Sequence, residues 1–270
     1  MEREIFKVEN LSKSFGTEKG KDHVRIIRNI SMSIREKEFI VILGDSGCGK
    51  STFLKILAGI HPASGGNITL DGKSCGVSIP REELRKFGFV FQSDNLLQWL
   101  TAGGNLQFII RMMKLKGSQW EKRVDEMLDL VGLLDYKHVY PHELSGGMKQ
   151  RVGIARALVH DPEILVMDQP LGALDTITRK MLAFEVLNIW KKTQKTIIMV
   201  TNNVDEALLL ASRIFIFSPL PAGIAQEFTD DIPIEERTVN ISRNRRFNEL
   251  RGEINALLRV NIKGGESYGK

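Results

Sequence analysis

One glycine-containing segment has the residue types and the spacing that phosphate binding requires. It reads Gly44-Asp45-Ser46-Gly47-Cys48-Gly49-Lys50-Ser51. Glycines let backbone N–H groups turn inward around phosphate oxygens, and the helix predicted to begin near Lys50 adds the positive end of its dipole. In such a loop the lysine reaches the β- and γ-phosphates and the Ser51 hydroxyl binds Mg²⁺, and we expect Thr52 to contact the α-phosphate. The segment predicts a site for a nucleoside triphosphate and Mg²⁺.

Two further segments gain meaning from this loop. Asp168 directly follows an apolar run, 164–167, so a predicted strand ends in a carboxylate. Ligands of open α/β sheets bind at the carboxyl ends of the strands, where Asp168 is suited to hold Mg²⁺ or one of its waters. Between loop and strand, Ser145, Gly146 and Gly147 precede a predicted helix, whose first N–H groups form a place for an anion. Alone, either feature is compatible with an ordinary strand end or helix start.

The elements that would position these segments alternate between strands and helices. Phe39 to Leu43 is a continuous apolar run, typical of a strand buried on both faces, and it leads straight into the glycine loop. Other strands are predicted at 5–8, 26–34, 68–70, 87–91, 196–201 and 214–217, and helices at 106–115, 120–131, 178–192, 205–211 and 247–258. The later strands and helices alternate as in a parallel sheet. The predicted fold class is α/β.

Length and composition narrow the possible functions. The 270 residues suffice for one large domain, and 42% hydrophobic residues supply a core. The net charge of +5 is spread over interspersed acids and bases, which does not favour a nucleic-acid partner. Two cysteines make no disulfide framework, as expected in a reducing cytosol. No apolar run reaches the roughly 18 residues of a membrane span.

The three segments, in this order, resemble the ATP-binding subunit of an ABC transporter, and the resemblance covers about residues 6–258. It implies a P-loop NTPase core of the ABC type with an antiparallel β lobe and an inserted helical subdomain. We expect a single ATP-binding domain over residues 1–270, with the helical subdomain at about 94–160 and a C-terminal extension at about 219–270. The cofactors implied are ATP and Mg²⁺.

The resemblance also implies roles for single residues. The segment of Ser145, Gly146 and Gly147 would cap the γ-phosphate bound by an opposite subunit, so two cassettes, identical or paralogous, would sandwich two ATP molecules. Gln92 resembles a glutamine that senses Mg²⁺ and the transmembrane partner. Phe15 lies where an aromatic residue stacks on adenine, although a core or hairpin Phe is the alternative. Asp175 ends a loop, 171–175, that would touch its counterpart across the dimer.

Two residues depart from the family pattern at the catalytic centre. Gln169 follows Asp168 where the family has a glutamate as general base, and an amide cannot accept the proton of the attacking water at neutral pH. Asn202 stands where the family has a histidine near the γ-phosphate, and it cannot carry that histidine's charge. The catalytic candidates are therefore Gln169, Asn202 and Lys50, with hydrolysis impaired and ATP binding intact.

Three explanations of these departures stay open. A deliberate replacement of glutamate would trap ATP, a naturally degenerate site would make the chain a binding-only regulatory subunit, and positioning of the phosphates alone would leave slow hydrolysis. One deliberate change explains Gln169 but not Asn202. The loss of both groups therefore favours natural degeneracy.

A finer resemblance is to importer ATPases of the nitrate, sulfonate and taurine type, carried by residues such as 94–101 and 218–224. It implies a small anion or a sulfonate-like solute, integral-membrane permease subunits, an extracytoplasmic solute-binding protein, and a peripheral location at the cytoplasmic face of the inner membrane. A groove near Gln92, Leu96, Leu97 and Trp99 is the candidate for receiving a permease coupling helix. A soluble ABC ATPase acting on nucleic acid or ribosomes is the rival, but such proteins usually carry two cassettes or a long coiled-coil insertion, and this chain has neither.

Overall fold

The computed structural model describes residues 3–16 and 23–265, with side chains through Val260. The chain divides into two compact units, one formed by Met1–Leu84 with Thr196–Lys270 and the other by Arg85–Lys195. The strands, in chain order, are β1 (Glu4–Phe15), β2 (Val24–Arg35), β3 (Phe39–Leu43), β4 (Gly65–Leu70), β5 (Lys73–Gly76), β6 (Phe87–Val90), β7 (Ile164–Asp168), β8 (Thr196–Thr201), β9 (Arg213–Phe217) and β10 (Ile224–Thr229). The helices are α1 (Lys50–Leu57), α2 (Ala102–Met112), α3 (Gln119–Leu130), α4 (Gly146–Leu158), α5 (Thr176–Thr193), α6 (Val204–Leu210) and α7 (Arg245–Gly265).

The first unit contains an antiparallel sheet in the order β2-β1-β4-β5. Buried residues alternate along part of each strand, at 6 and 8 and again at 11 and 13 of β1 and at 30, 32 and 34 of β2, which is the period expected of strands with one face on a core. Phe6 pairs with Ile34 on one side and with Leu70 on the other, and it is almost fully buried. The predicted antiparallel β lobe is confirmed.

The same unit contains parallel strands in the order β9-β3-β8, with β10 antiparallel on β9. All five residues of β3 are buried, as its uninterrupted apolar sequence predicts for a strand with two neighbours. Leu43 pairs with Thr201 of β8 and with Ile216 of β9. The carboxyl ends of these three strands therefore lie at one edge, where β3 leads into the glycine loop and β8 into Asn202.

Two arginines tie the segment after β10 to α6, the helix that follows β8. Arg251 on α7 makes a two-atom ion pair with Asp205 in the first turn of α6, with Nε–Oδ1 2.7 Å and Nη2–Oδ2 3.2 Å. The buried Arg237 guanidinium donates to the carbonyls of Leu209 and Ala211 at the other end of α6, at 3.3 and 2.7 Å. The chain segment after β10 therefore contacts both ends of α6.

The amphipathic C-terminal helix is confirmed as α7, whose buried face consists of Phe247, Leu250 and Ile254. This face packs against α6. The final residues of the predicted extension, 266–270, lie outside the described residues, as does most of the polar segment 16–22.

The second unit pairs β6 with β7 in parallel, with Phe87 opposite Ile164. Helices α2, α3 and α4 pack on one another, and α4 also packs on β6. Gly88 of β6 lies against the backbone of Ala157 on α4, so closely that no side chain fits between them. Among the described residues, no helix is long and apolar enough to cross a membrane.

Candidate functional site

The phosphate loop lies between β3 and α1, as predicted, and the helix begins at Lys50. The Lys50 side chain is almost fully buried, and its ammonium donates to the carbonyl oxygens of Gly44 at 2.8 Å and Asp45 at 2.6 Å. Strand β3 fixes where the loop starts, and α1 fixes where it ends. The ammonium therefore lies inside the ring of the loop, close to the backbone that would surround a phosphate.

Two glycines of the loop, Gly44 and Gly49, lie close to neighbouring atoms, whereas Gly47 does not. A Cβ on Gly44 would lie 3.0 Å from Cys48 Sγ, and one on Gly49, whose φ is +104°, would lie 3.0 Å from Ile26 Cγ2 and 3.3 Å from the Ile26 carbonyl oxygen. Gly47 has a φ of +81°, and a Cβ there would meet none of the described residues within 4 Å. The open space at Gly47 and the Lys50 ammonium within the loop fit the binding of a polyphosphate, which such loops hold through backbone N–H groups.

Cys48 is buried in this loop, with its Sγ 3.7 Å from Lys50 Nζ. Burial raises the pKa of the Cys48 thiol above its ordinary value, and the neighbouring Lys50 ammonium lowers it by less. The protonated thiol is therefore the favoured form at neutral pH.

We expect alkylation of Cys48 by iodoacetamide to be slow near neutral pH and to rise with pH, with a midpoint above that of a free cysteine thiol, because only the thiolate reacts. The measurement is the rate of modification against pH in a Cys75→Ser background, which leaves Cys48 as the one thiol of the chain. A midpoint at or below that of a free thiol would mean that the Lys50 ammonium outweighs burial.

Phe15 lies at the end of β1 with its side chain exposed, at 41% of its accessible surface, which excludes a core Phe and leaves the alternative of a hairpin Phe open. It pairs with Val24 of β2, two residues before Ile26, which packs against Gly49 of the phosphate loop. The His61 ring meets the Phe15 ring edge-on, with centroids 6.1 Å apart. An exposed aromatic ring thus stands on the strand pair that borders the phosphate loop.

Asn202 is exposed directly after β8, on a turn that hydrogen bonds of its neighbours Thr201 and Asn203 hold in place. The Thr201 hydroxyl donates to the Glu206 carboxylate at 2.6 Å and accepts from the Asn203 N–H at 3.1 Å. Asn203 caps α6, because its side-chain oxygen accepts from the Glu206 N–H at 3.1 Å. This buried network presents Asn202 at the same strand edge as the phosphate loop.

In the second unit, Asp168 ends β7 and Gln169 follows it in the left-handed region, with φ +46°. The Gln169 carbonyl oxygen accepts from the Gly172 N–H at 3.0 Å, so a tight turn holds this backbone. A left-handed backbone is costly for a residue with a side chain, and such strain tends to occur at functional sites. The turn therefore fixes the backbone from which the Gln169 side chain leaves.

The predicted helix is present as α4, but it begins at Gly146, so Gly146 and Gly147 form its first turn and do not precede it as predicted. Ser145 caps α4, its hydroxyl accepting from the Met148 N–H at 3.3 Å. A Cβ on Gly147 would lie 2.9 Å from Thr178 Cγ2 on α5, so only glycine lets the two helices approach this closely. The free N–H groups of Gly146 and Gly147 are those at the positive end of α4.

Asp175 caps the neighbouring helix α5, because its Oδ1 accepts from the N–H groups of Ile177 and Thr178, both at 3.1 Å. Hydrogen bonds from Thr178 hold the pKa of the Asp175 carboxyl below its ordinary value. This capping role was missing from the sequence prediction, although Asp before a helical pattern is its usual signal.

Gln92 is exposed two residues beyond β6, and the predicted strand is one residue too long at Phe91. The Gln150 amide on α4 donates to the Phe91 carbonyl at 3.3 Å and so steadies the segment that carries Gln92. Of the predicted Mg²⁺ ligands, Ser51 belongs to the first unit, and Gln92 and Asp168 belong to the second. Each of these side chains carries an oxygen of the kind that Mg²⁺ accepts as a ligand.

The sequence prediction missed Asn105, a fully buried side chain on α2 that organises the loop before it. Its amide donates to the carbonyls of Leu97, Leu100 and Thr101 at 3.0–3.2 Å, and its oxygen accepts from the Leu97 N–H at 2.8 Å. A polar residue at a core-facing position of a helix was the signal that could have found it. The loop leaves Trp99 exposed at 73%.

A protein-family model described as "ABC transporter" matches residues 27–172. The match covers more than half of the chain and includes the phosphate loop, Gln92, the cap of α4, and the end of β7. This chain belongs to the ABC transporter family.

Among curated proteins, the chain is 39% identical over 256 residues to a taurine import ATP-binding protein of Ruegeria pomeroyi, covering 93% of this chain and 92% of that protein. It is 40% identical over 241 residues to a nitrate import ATP-binding protein of Synechocystis, covering 86% and 88%, and 38% identical over 231 residues to an aliphatic sulfonates import ATP-binding protein of Bacillus cereus, covering 86% and 87%. A solved dimeric ATP-binding cassette in a post-hydrolysis state with ADP and phosphate is 30% identical, with a TM-score of 0.71, covering 85% of this chain and all of that one. The predicted ABC-type ATPase fold is confirmed.

Proposed function

We propose that this chain is the ATP-binding subunit of an ABC importer for a small anion or a sulfonate-like solute. The observation that carries the proposal is the phosphate loop, closed at Gly44 and Gly49, open at Gly47 and lined by the Lys50 ammonium. The import ATP-binding proteins named above match the chain over most of its length, which supports the taurine, nitrate and sulfonate class of solute.

Within this proposal, the loop residues Gly44 to Thr52 hold the phosphates and Phe15 receives the adenine. Ser51, Gln92 and Asp168 hold Mg²⁺, which would neutralise phosphate charge. The start of α4, from Ser145 to Gly147, contacts the γ-phosphate on a second cassette, and Asp175 lies near the partner cassette. The dimeric state of the solved relatives supports such a pair.

The domain limits are part of the proposal. Residues 1–270 form one ATP-binding domain, residues 94–160 its helical subdomain, and residues 219–270 its C-terminal extension. Helices α2, α3 and α4 all lie within the limits given for the subdomain, which supports them.

The partners follow from the same family. Permease subunits would carry the solute through the membrane, a solute-binding protein outside would deliver it, and the cassette would lie at the cytoplasmic face of the inner membrane. A permease coupling helix would bind in the groove formed near Gln92, Leu96, Leu97 and Trp99. The support is an exposed Trp99 on a loop that Asn105 holds rigid, since exposed aromatic anchors carry much of the energy of interfaces.

We expect Trp99→Ala to weaken association with the permease by about tenfold or more, as for a central aromatic anchor, and to leave ATP affinity unchanged. The measurement is the fraction of cassette that remains with permease in detergent, titrated against cassette concentration. Val239→Ala, at a comparably exposed position of the first unit, is the matched control. Equal association of both variants would contradict this role for the groove.

A second candidate function is that of a binding-only regulatory cassette, favoured by Gln169 and Asn202. Neither side chain can accept the proton of an attacking water at neutral pH. In this form, ATP would stabilise the assembly while an active paralogous cassette supplies turnover.

Uptake in the organism that makes the chain tests the first function. Deletion of its gene should abolish uptake of labelled taurine, nitrate or an alkanesulfonate, and the wild-type gene should restore it whereas Lys50→Ala should not. Unchanged uptake of all three solutes would overturn the proposed solute class. Restoration by Lys50→Ala would overturn the role of ATP at this loop.

A further inference from the structure

Lys13 is a buried lysine beside the candidate base site, and its neighbours are unusual for an ammonium. Its relative exposure is 8%. Its Nζ donates to the Pro62 carbonyl oxygen at 2.7 Å and lies over the Phe15 ring, 4.8 Å from the centroid. Lysine is rarely buried, because its ammonium loses hydration, so the carbonyl and the face of the ring have to replace that water.

Two side chains contact the Phe15 ring, and part of the residue stays exposed. Lys13 covers one face, His61 meets the ring edge-on at an interplanar angle of 86°, and 41% of the residue stays accessible. Lys13 and Phe15 are two residues apart on β1, where the pairing with β2 shifts register between Lys13 and Ser14, and the Lys13 ammonium lies over the Phe15 ring. A ring clamped in this way presents its other face in one fixed orientation.

We propose that Lys13 is a positioning residue for the nucleobase: it holds the Phe15 ring so that the free face stacks on a purine. This inference rests on the proposed function, since it needs ATP at the phosphate loop. The ammonium draws the π electrons of the ring toward itself, and the opposite face then becomes a better partner for an electron-rich adenine. Lys13 also removes the rotational freedom that Phe15 would otherwise lose when nucleotide binds.

A purely structural role would give different results. In that role, the Lys13 ammonium would only tie β1 to the segment after α1 through the Pro62 carbonyl. Its loss would then alter the phosphate loop and the base site together, because α1 starts at that loop. The two roles separate when a ligand with a base is compared with one that has phosphates alone.

The test measures dissociation constants of ATP and of inorganic tripolyphosphate, both with Mg²⁺, by calorimetry on the full chain. Lys13→Met should weaken ATP about three- to tenfold, because the nucleotide itself would then have to immobilise the Phe15 side chain, and leave tripolyphosphate unchanged. Lys13→Arg, which keeps a cation over the ring, should bind ATP like the wild type. Lys13→Gln keeps a donor for the Pro62 carbonyl without the charge. It replaces Lys13→Met in the binding measurements if Lys13→Met does not fold.

A double-mutant cycle completes the test. In a Phe15→Ala background, Lys13→Met or Lys13→Gln should cause no further loss of ATP affinity, because the lysine acts through the ring. Equal losses for ATP and tripolyphosphate, or a loss of ATP affinity that persists without the ring, would overturn the proposal. A wild-type chain that binds neither ligand would instead overturn the proposed function itself.

Discussion

Gln169→Glu is expected to raise the rate of ATP hydrolysis by about 10²–10⁴-fold, the range of a general base. The two side chains have nearly the same shape, and the turn at φ +46° already fixes the backbone from which the side chain leaves. The substitution therefore adds a proton acceptor directly after Asp168 without repacking the site. The measurement is steady-state ATP hydrolysis in the assembled transporter, beside the wild type.

Gln194→Glu is the matched control, because Gln194 is also a left-handed glutamine, with φ +51°, but it lies at the exposed end of α5. Asn202→His, alone and combined with Gln169→Glu, tests the second departure. Rapid turnover of Gln169→Glu alone would identify Gln169 as the block, as in a deliberate trap. If Gln169→Glu binds ATP but hydrolyses it only at the background rate, the prediction is contradicted and the degenerate site is supported.

Lys50→Ala is expected to weaken ATP binding by about 10²-fold or more. Charge-assisted hydrogen bonds contribute about 1.5–3 kcal/mol each, and loss of two such bonds to the β- and γ-phosphates corresponds to at least that factor. The Lys50 ammonium also bridges the carbonyls of Gly44 and Asp45, so its removal loosens the loop as well as the ligand. The measurement is the dissociation constant of Mg-ATP.

Lys55→Ala is the control for this effect, since Lys55 lies on the same helix with its side chain exposed. It should bind ATP like the wild type. Thermal unfolding of both variants without nucleotide separates loss of binding from loss of fold. An unchanged dissociation constant for Lys50→Ala in a folded chain would mean that the nucleotide does not bind at this loop.

The sequence predicted best those elements whose signal is local. β3 and β8 were predicted to the residue, because β3 is an uninterrupted apolar run and β8 is an apolar run between two threonines. β1 was predicted to end at Val8 but extends to Phe15. The pairing with β2 becomes irregular around Asn10, whose φ is +51°, and then resumes, so the strand continues. The edge strand β10 was missed because Phe228 is its one buried residue.

The short strand β5 was also missed, although its turn left a signal. Asp71 and Gly72 both have positive φ, at +50° and +75°, between β4 and β5. Asp-Gly is the pair expected in a two-residue hairpin turn. The four residues of β5 carry no apolar pattern, so the Asp-Gly turn was the one sequence signal that indicated this strand.

The candidate site was predicted as far as its residues are neighbours in sequence. The phosphate loop, the cap of α4 and the carboxylate that ends β7 each lie within one continuous segment. Asn105 and Lys13 were not singled out, because their contacts at Leu97, Pro62 and Phe15 arise from folding rather than from spacing. The sites proposed for Gln92 and Asp175 remain predictions of the family resemblance.

The phosphate loop has an order of assembly built into it. Strand β3, which sets the loop, takes both of its neighbours, β8 and β9, from chain beyond residue 195, and Gly49 packs against Ala222. Synthesis proceeds at about 5–20 residues per second from the N-terminus. The loop thus leaves the ribosome several seconds before the strands that support it, and a chain interrupted before β8 cannot form the site. A nascent chain that stops before β8 is therefore expected not to bind ATP at this loop.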